Sequence, residues 1–158
     1  METRVMFIST QNLKNDTILE NNVEDYILKP CIYDAHIIDL QEVLGEKLYK
    51  DLINKTLNNT LNSDEITLIN SYIYNFLIKA SLYRCLPYLW AKIEHTSIVV
   101  KEDQNSKSIE SKDLSIFRGE IKNDTSLLKE RLIDYLINNV DKLNENVFGN
   151  IKSFSYIY

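Results

Sequence analysis

An apolar block at residues 63–94 constrains the fold most, because it is the longest in the chain and holds six of the sixteen aromatic residues. Ser63 can cap the N-terminus of a helix, and Asp64 and Glu65 follow in the first turn, where the helix dipole favours acidic side chains. Polar side chains form one narrow stripe at four-residue spacing: Thr67, Ser71, Asn75 and Lys79. A helix with so narrow a polar edge is surrounded by neighbours. The block therefore predicts the central helix of the fold.

Within this block, apolar residues fall on nearly every face of the predicted helix, so all of these faces are expected to meet the core. One line of them is Ile66, Ile69, Ile73, Leu77 and Ala80. Pro87 removes a backbone hydrogen bond and predicts a bend near residues 85–88. Lys79 and Arg84 would each cost about 3 kcal/mol in the middle of a bilayer. The block is therefore predicted to be a soluble core helix and not a membrane span.

Composition favours a single helical domain. The chain has 158 residues, of which 44% are hydrophobic, and this is enough for one core. Three Gly and two Pro leave few turn-forming residues for a sandwich or a barrel. Its 18 basic residues are spread among 23 acidic ones, giving a formal charge of −5, so a general affinity for nucleic acid is not expected.

Capping residues and a proline divide the N-terminal part of the chain. Ser9 and Thr10 are candidate caps for a brief helical turn, and Asn22 can cap a helix that begins at Val23. Pro30 lacks an N–H group and predicts a kink or a restart of that helix. Apolar residues then recur on one predicted face: Ile27, Cys31, Ala35 and Ile38.

A glycine predicts a break between this helix and the next. Leu44 closes the apolar pattern, and Gly45 suits the position just after a helix end, where a left-handed backbone is common. A second helix at residues 46–55 presents four apolar or aromatic side chains: Leu48, Tyr49, Leu52 and Ile53. Residues 58–63 then form a polar connection to the central helix.

The C-terminal half predicts an arm, a helix and a tail. Residues 96–111 are mostly polar and predict an extended arm or a β-hairpin. Residues 112–140 show a helical apolar spacing, which Asp124 and Thr125 interrupt, allowing a short break. Residues 151–158 alternate aromatic and polar side chains, as a strand does. The predicted fold is mainly α: a compact bundle of about four helices over residues 1–143, with the arm at 96–111 and an extended tail at 144–158.

No catalytic or metal-binding constellation is predicted. Cys31 and Cys85 are expected to be buried, reduced thiols and not a disulfide. His95 would lie about 15 Å from Cys85 along a straight helix, and Cys31 and His36 would diverge by roughly 140° around theirs. An acidic cluster next to His36 is predicted to be a solvated helix face: Asp34, Asp39, Glu42 and Glu46. His36 itself is expected to be a surface residue or a hydrogen-bonded core residue, and no enzyme activity or cofactor is expected.

One stretch resembles a known family. Residues 32–52 read IYDAHIIDLQEVLGEKLYKDL, which is similar to the I-x-x-A-[QH]-x-x-x-[IL]-x-x-x-LG-x-x-LY-x-x-L pattern of head-to-tail connector (adaptor, or ring) proteins of tailed bacteriophages, particularly the crAss-like phages. The opening FISTQNLKND, the Leu86-Pro87 pair, the polar arm and the last helix follow in the family's order. The resemblance extends as far as Leu143, and the remaining tail has no match. His36 stands where relatives often have Gln.

The resemblance implies a structural virion protein. Such subunits form a homo-oligomeric ring, commonly twelve-fold, beneath the portal; the ring extends the DNA channel and docks tail components. The protein would be assembled in the cytoplasm of the bacterial host and end in the virion at the portal–tail junction. Its partners would be the portal and other tail or ring proteins. DNA would pass through without specific binding, and no membrane or small-molecule substrate would be involved.

The contacts of such a ring are assigned to exposed apolar residues of the arm and the tail: Val99, Val100, Ile109, Phe148, Phe154, Tyr156 and Tyr158. Aromatic and β-branched side chains gain most when a partner buries them. The alternative is that these residues fold back on their own subunit. Twelve copies at −5 would carry a formal charge of −60, and a channel wall of that sign would let DNA slide.

Two other classes of protein remain open. A small helical regulatory or nucleic-acid-associated protein would need a basic recognition helix, and none of the predicted helices is basic. A helical enzyme would need a polar pocket, for which His36 and the acidic cluster are the only candidates in the sequence.

Overall fold

The computed structural model describes residues 5–99, 111–139 and 141–143, with the backbone alone for residues 92–99 and 111–114. All elements within these ranges are helical: α1 (Thr10–Asn15), α2 (Asp25–Asp34), a first π segment (Ala35–Leu40), α3 (Gln41–Asn58), α4 (Ser63–Thr67), a second π segment (Leu68–Ile73), α5 (Tyr74–Val99) and α6 (Ser111–Asn138). The π segments join their neighbours without interruption, so the elements form four helical stretches. A mainly α fold with about four helices is therefore confirmed.

The predicted N-terminal cap is correct for the first helix but not for the second. Ser9 caps α1 by accepting a hydrogen bond from the Asn12 N–H, as predicted, and Leu13 anchors this helix in the core. The predicted start of the next helix at Asn22 and Val23 is wrong. Residues 21–23 form a turn, and α2 begins at Asp25 after Glu24.

The helix also continues through Pro30 without the predicted restart. Pro30 is exposed, so its ring lies on the solvent side of α2. On that side a missing N–H donor leaves a carbonyl near water and not in the core. The proline is therefore tolerated inside the helix.

The first π segment changes which residues face the core. Ile38, predicted to be buried, has 50% of its surface exposed, whereas His36 and Leu40 are fully buried. The Gln41 N–H donates to the His36 carbonyl, five residues back, as in a π turn. This wider turn inserts one residue into the helical repeat and rotates the side chains that follow. The α-helical spacing used for the prediction does not hold across it.

Gly45 breaks the helix where the sequence predicted. Its backbone has φ 74° and ψ 156°, a combination that residues with a side chain rarely adopt. Leu44 lies before the break and Leu48 and Leu52 after it, and all three are buried. The break lets the two parts of α3 direct their leucines into the same core.

The central helical stretch begins at Ser63, but its cap is the preceding residue. The Asn62 Oδ1 accepts from the Glu65 N–H at 2.8 Å, and the Glu65 Oε2 accepts from the Asn62 N–H at 2.9 Å. The prediction of Ser63 as the cap was therefore wrong by one position. Ile66, predicted to face the core, is 45% exposed, because the second π segment shifts the helical repeat between it and the buried residues further on.

The middle of the central helical stretch follows the prediction. Ile73, Leu77 and Ala80 are buried, while the polar stripe lies outside, with Thr67 and Asn75 exposed. The helix continues through Pro87 to Val99. Residues 96–99, assigned to the arm by their β-branched content, are thus helical, because this weak preference does not outweigh the extension of an existing helix.

The last helix is uninterrupted. Asp124 and Thr125 do not break α6, since the Thr125 hydroxyl donates to the Ile121 carbonyl within the helix at 2.7 Å. Leu132 and Leu136 of this helix lie in the same hydrophobic core as residues of α2, α3 and α5. The helix α5 packs against both α2 and α6, so the block at residues 63–94 lies at the centre, as predicted.

Candidate functional site

The predicted contact residues lie at the edge of the described structure. Val99 is the last residue of α5. The other six lie outside the described residues: Val100, Ile109, Phe148, Phe154, Tyr156 and Tyr158. Residues 100–110 of the predicted arm at 96–111, and the predicted tail at 144–158, also lie outside the described residues. The structure therefore describes the helices that lead into these segments and not the segments themselves.

Ionic and aromatic contacts join the two helices that flank the arm. Lys79 on α5 pairs with Asp124 on α6 at 2.9 Å. The Arg118 guanidinium of α6 lies over the Tyr83 ring of α5, 4.6 Å from its centre, where the face of the ring attracts a cation. These contacts position α5 and α6 side by side.

A second contact fixes α5 to the first π segment. The Arg84 guanidinium donates two hydrogen bonds to the Asp39 carboxylate, at 2.6 Å from Nε and 2.8 Å from Nη2. Both side chains are less than one third exposed. Asp39 is the main cause that raises the pKa of Arg84, against burial, which lowers it. A two-pronged pair of this kind fixes orientation as well as distance.

The acidic cluster does not act as one solvated face. Asp39 binds Arg84, while Glu42 lies 3.5 Å from Lys129 on α6. Glu46 pairs with Lys50 on the solvent side of α3. Asp39 and Glu42 thus also serve helix–helix contacts that the sequence alone did not indicate, with basic partners about 45 to 90 positions away in the chain. The predicted solvated face holds for Glu42 and Glu46, whose side chains are 68% and 66% exposed, but it is wrong for Asp39, which is 29% exposed beside Arg84.

His36 is a hydrogen-bonded core residue, the second of its two expected roles. Its side chain is fully buried, its Nε2 accepts from the Phe7 N–H at 2.9 Å, and its Nδ1 lies 2.9 Å from the Ile32 carbonyl. Since Nε2 accepts, Nδ1 carries the proton and donates to Ile32. The Phe7 ring stacks on the imidazole at 5.6 Å. Burial lowers the pKa of His36, although the hydrogen bond to Ile32 opposes this.

Because of these contacts, His36 does not interact with the carboxylates of the acidic cluster. Both of its ring nitrogens are occupied by backbone groups, and the causes of its pKa shift include no carboxylate. An acid–base pair would need a carboxylate within hydrogen-bond reach of the imidazole. His36 therefore connects the N-terminal segment to α2 and does not form a pair with the cluster.

An open cavity lies beside this connection. It has a volume of about 620 Å³ and is lined mainly by apolar and aromatic side chains of the N-terminal segment and α2, including Met6, Phe7, Ile8, Ile32 and Tyr33, with Lys29 as its charged member. A smaller cavity of about 130 Å³ lies between α5, α6 and Asp39. Sequence reasoning predicted neither cavity, because both form between elements that are distant in the chain.

Both cysteines lie in the core. Both are free and buried, which confirms the prediction of reduced thiols. Cys31 belongs to α2 and Cys85 to α5, and these two helices pack against each other.

The described part of the chain holds neither a candidate metal site nor a candidate membrane span. No group of three or more His, Cys, Asp or Glu side chains there could hold a metal ion. No helix there is both long and apolar enough to cross a bilayer.

Comparison with known proteins identifies a family but not an activity. The sequence model of a family of unknown function (DUF6712) matches residues 40–150, which is more than half of the chain, so the protein belongs to this family. The match begins at the end of the first π segment and includes α3 to α6. No curated protein and no solved structure matches the chain.

Proposed function

We propose that this protein is a structural subunit of a tailed bacteriophage, which forms a ring at the portal–tail junction, extends the DNA channel and docks tail components. The observation that carries the proposal is the resemblance of residues 32–52 to the head-to-tail connector pattern. The spaced apolar positions of that pattern are buried here: Ile32, Ala35, Leu40, Leu44, Leu48 and Leu52. The Gly of its Leu-Gly pair has the positive φ that the break requires.

The described charges agree with a channel through which DNA passes without specific binding. Lys50 pairs with Glu46, and Lys55 pairs with both Asp51 and Glu65. Arg84 and Lys79 are likewise paired with carboxylates. Basic residues that are neutralised in this way add little to phosphate attraction. With a net charge of −5 per chain, the lumen of the ring is proposed to repel DNA weakly.

The arm and the tail are proposed to make the contacts between subunits and with the portal. The arm, an extended segment or β-hairpin, follows Val99 and lies between two helices that pack against each other. The strand-like tail follows Leu143, whose side chain is buried in the core. Both segments thus start from fixed points on the helical body. The protein acts through these surfaces in the virion, with no substrate and no cofactor.

Electron microscopy of the purified full-length protein, alone and mixed with the portal of the same phage, tests the proposal. We expect closed rings, commonly of twelve subunits, coaxial with the portal. A variant that ends at Leu143 should lose ring closure or portal binding while keeping its helical circular dichroism. A protein that stays monomeric and does not bind the portal would contradict the proposal. A ring with Lys47, Lys50 and Lys55 lining the lumen would contradict the repelling channel alone.

A further inference from the structure

His36 attaches residues 5–15, which include α1, to the helical body through a hydrogen bond that requires a neutral imidazole. Its Nε2 accepts the Phe7 N–H at 2.9 Å, while Nδ1 lies 2.9 Å from the Ile32 carbonyl. Residues 5–9 are not helical, so the Phe7 N–H has no acceptor within a helix. Protonation of the imidazole would place a hydrogen on Nε2. Two donors would then face each other at a distance that suits a donor and an acceptor.

Burial adds to the cost of a charged imidazole in the attached state. The His36 side chain is fully buried, and the Phe7 ring stacks on it with 5.6 Å between the ring centres. A buried charge without a partner is strongly unfavourable. An open cavity of about 620 Å³ borders Phe7 and Ile32, so open space already lies next to residues that contact the imidazole. Detachment of Phe7 would expose the imidazolium and the Phe7 N–H to water.

The charged and titratable groups on the surrounding elements do not stabilise a charged His36. They include Lys14 on α1, Cys31 and Asp34 on α2, Asp39 on the first π segment, and Arg84 and Cys85 on α5. None of them is among the causes of the His36 pKa shift. Arg84 binds Asp39, and Lys14 binds Asp25. The Lys14 hydrogen bond lowers the pKa of Asp25, so this pair keeps its charges in mild acid.

The α1 helix depends on the same attachment. It has six residues, and a helix of this length is not stable by itself. Its tertiary support comes from Leu13, which is fully buried, and from Ile8 just before its cap, which is 3% exposed. If Phe7 detaches, the adjacent Ile8 loses its place in the core, and α1 is expected to open with it.

We propose that His36 is an acid-sensitive switch for this attachment: protonation of Nε2 replaces the acceptor of the Phe7 N–H by a donor, and residues 5–15 detach from α2 while the remaining helices stay folded. Detachment uncovers the apolar side chains of Ile8 and Leu13. The switch goes beyond the proposed structural role and does not depend on it.

The sign of the pH dependence follows from the two states. In the attached state, burial holds the pKa of His36 below 6.5; in the detached state, the hydrated imidazole returns toward that value. As the pH falls below 6.5, the detached state takes up a proton that the attached state does not. The ratio of detached to attached protein therefore rises by up to about tenfold per pH unit, until the pKa of the attached state is reached.

Hydrogen–deuterium exchange of the full-length protein at pH 7.5 and pH 5.5, measured by mass spectrometry, tests the proposal. Protection factors correct for the effect of pH on the exchange chemistry itself. We expect the factors of residues 7–15 to fall by about tenfold at pH 5.5. They should also stay below those of α5 and respond less to low urea concentrations, because detachment exposes less surface than global unfolding does. Factors that do not change with pH, or that match those of α5 in size and urea dependence, would overturn the proposal.

Two variants at the same position test the role of the imidazole. In His36→Gln, the amide oxygen can accept the Phe7 N–H at every pH, so the tenfold loss of protection should disappear. In His36→Ala, no acceptor remains, so residues 7–15 should be poorly protected at both pH values. A loss in His36→Gln equal to that of the wild type would show that another group titrates and would overturn the assignment. The wild-type measurement stands even if a variant does not fold.

Discussion

At the residue scale, Ser81 is a buried polar group that the core does not satisfy. Its side chain is fully buried in α5, and among the described residues its hydroxyl oxygen has no hydrogen-bond partner. An unsatisfied buried hydroxyl is unfavourable. We therefore predict that Ser81→Ala raises the free energy of unfolding by about 1 kcal/mol, measured by urea denaturation.

Ser126→Ala is the matched control for this change. The Ser126 hydroxyl is exposed and donates to the Lys122 carbonyl at 3.0 Å. Its removal should change stability by less than about 0.5 kcal/mol. A Ser81→Ala protein that is less stable than wild type would contradict the assignment.

Because His36 is buried, we predict that the free energy of unfolding falls in mild acid. Burial lowers its pKa in the folded protein below the unfolded value of 6.5. As the pH falls below 6.5, the unfolded chain takes up a proton that folded His36 does not. The free energy of unfolding therefore falls by up to about 1.4 kcal/mol per pH unit, until the folded pKa is reached. Urea denaturation at pH 7.5 and at pH values below 6.5 measures this loss.

The His36→Gln variant separates this effect from other titrating groups. It lacks the imidazole, so its stability should change less over the same pH range. In the wild-type protein, nitrogen NMR should show a neutral His36 ring protonated on Nδ1. Equal pH dependence in both proteins, or a charged His36 at pH 6.5, would contradict the account.

At the element scale, Gly45 sets the break within α3. A Cβ at this position would meet no atom within 4 Å, so the cost of a side chain comes from the backbone conformation alone. Gly45→Ala should lower the free energy of unfolding by about 1–3 kcal/mol. Gly119 in α6 also has no atom within 4 Å of an added Cβ, but it is helical, so Gly119→Ala should stabilise by about 1 kcal/mol. Thermal denaturation measures both variants. Melting temperatures that shift in the same direction for Gly45→Ala and Gly119→Ala would contradict this assignment.

The Arg84–Asp39 pair should contribute measurably to the attachment of α5 to the first π segment. A double-mutant cycle with Arg84→Met and Asp39→Asn should give a coupling energy of about 1–2 kcal/mol, because the pair is two-pronged and shielded. The same cycle on Lys50 and Glu46, both 66% exposed, should give less than about 0.5 kcal/mol. Equal coupling energies for the two pairs would show that shielding from solvent does not strengthen the Arg84–Asp39 pair.

Element boundaries show how far the sequence could predict this fold. Local signals were sufficient for Ser9, Gly45 and the polar stripe of the central helix, because each depends on neighbours in the chain. The α-helical spacing gave the wrong burial for Ile38 and Ile66. A π segment adds one residue to the repeat, and its amino-acid composition does not distinguish it from an α-helix. The sequence does not separate Asn62 from Ser63 as the cap, because both residue types are good caps.

At the scale of the whole molecule, the predictions failed where they depended on tertiary contacts. The Arg84–Asp39 pair and the Lys79–Asp124 pair each join residues that are 45 positions apart. No local pattern encodes such a contact. Hydrophobic content and periodicity were enough to place residues 63–94 at the centre, because burial of a helix with few polar residues has no alternative in water.

In the proposed ring, the helical core supports the arm and the tail, and these two segments make the contacts with other subunits. Four helical stretches share one core, and the described residues hold no metal-binding cluster. The family match includes α3 to α6 and extends past Leu143. Under the proposed function, we expect the contacts of the arm and the tail to form only in the oligomer and with its partners.

The mass of the assembled protein in solution tests this account most directly. Native mass spectrometry or mass photometry of the full-length protein, with and without the portal, should show a closed ring, with about 220 kDa for twelve copies of the 18.5 kDa chain. The variant ending at Leu143 should shift toward smaller species. A single species at the mass of one chain under both conditions would contradict the account.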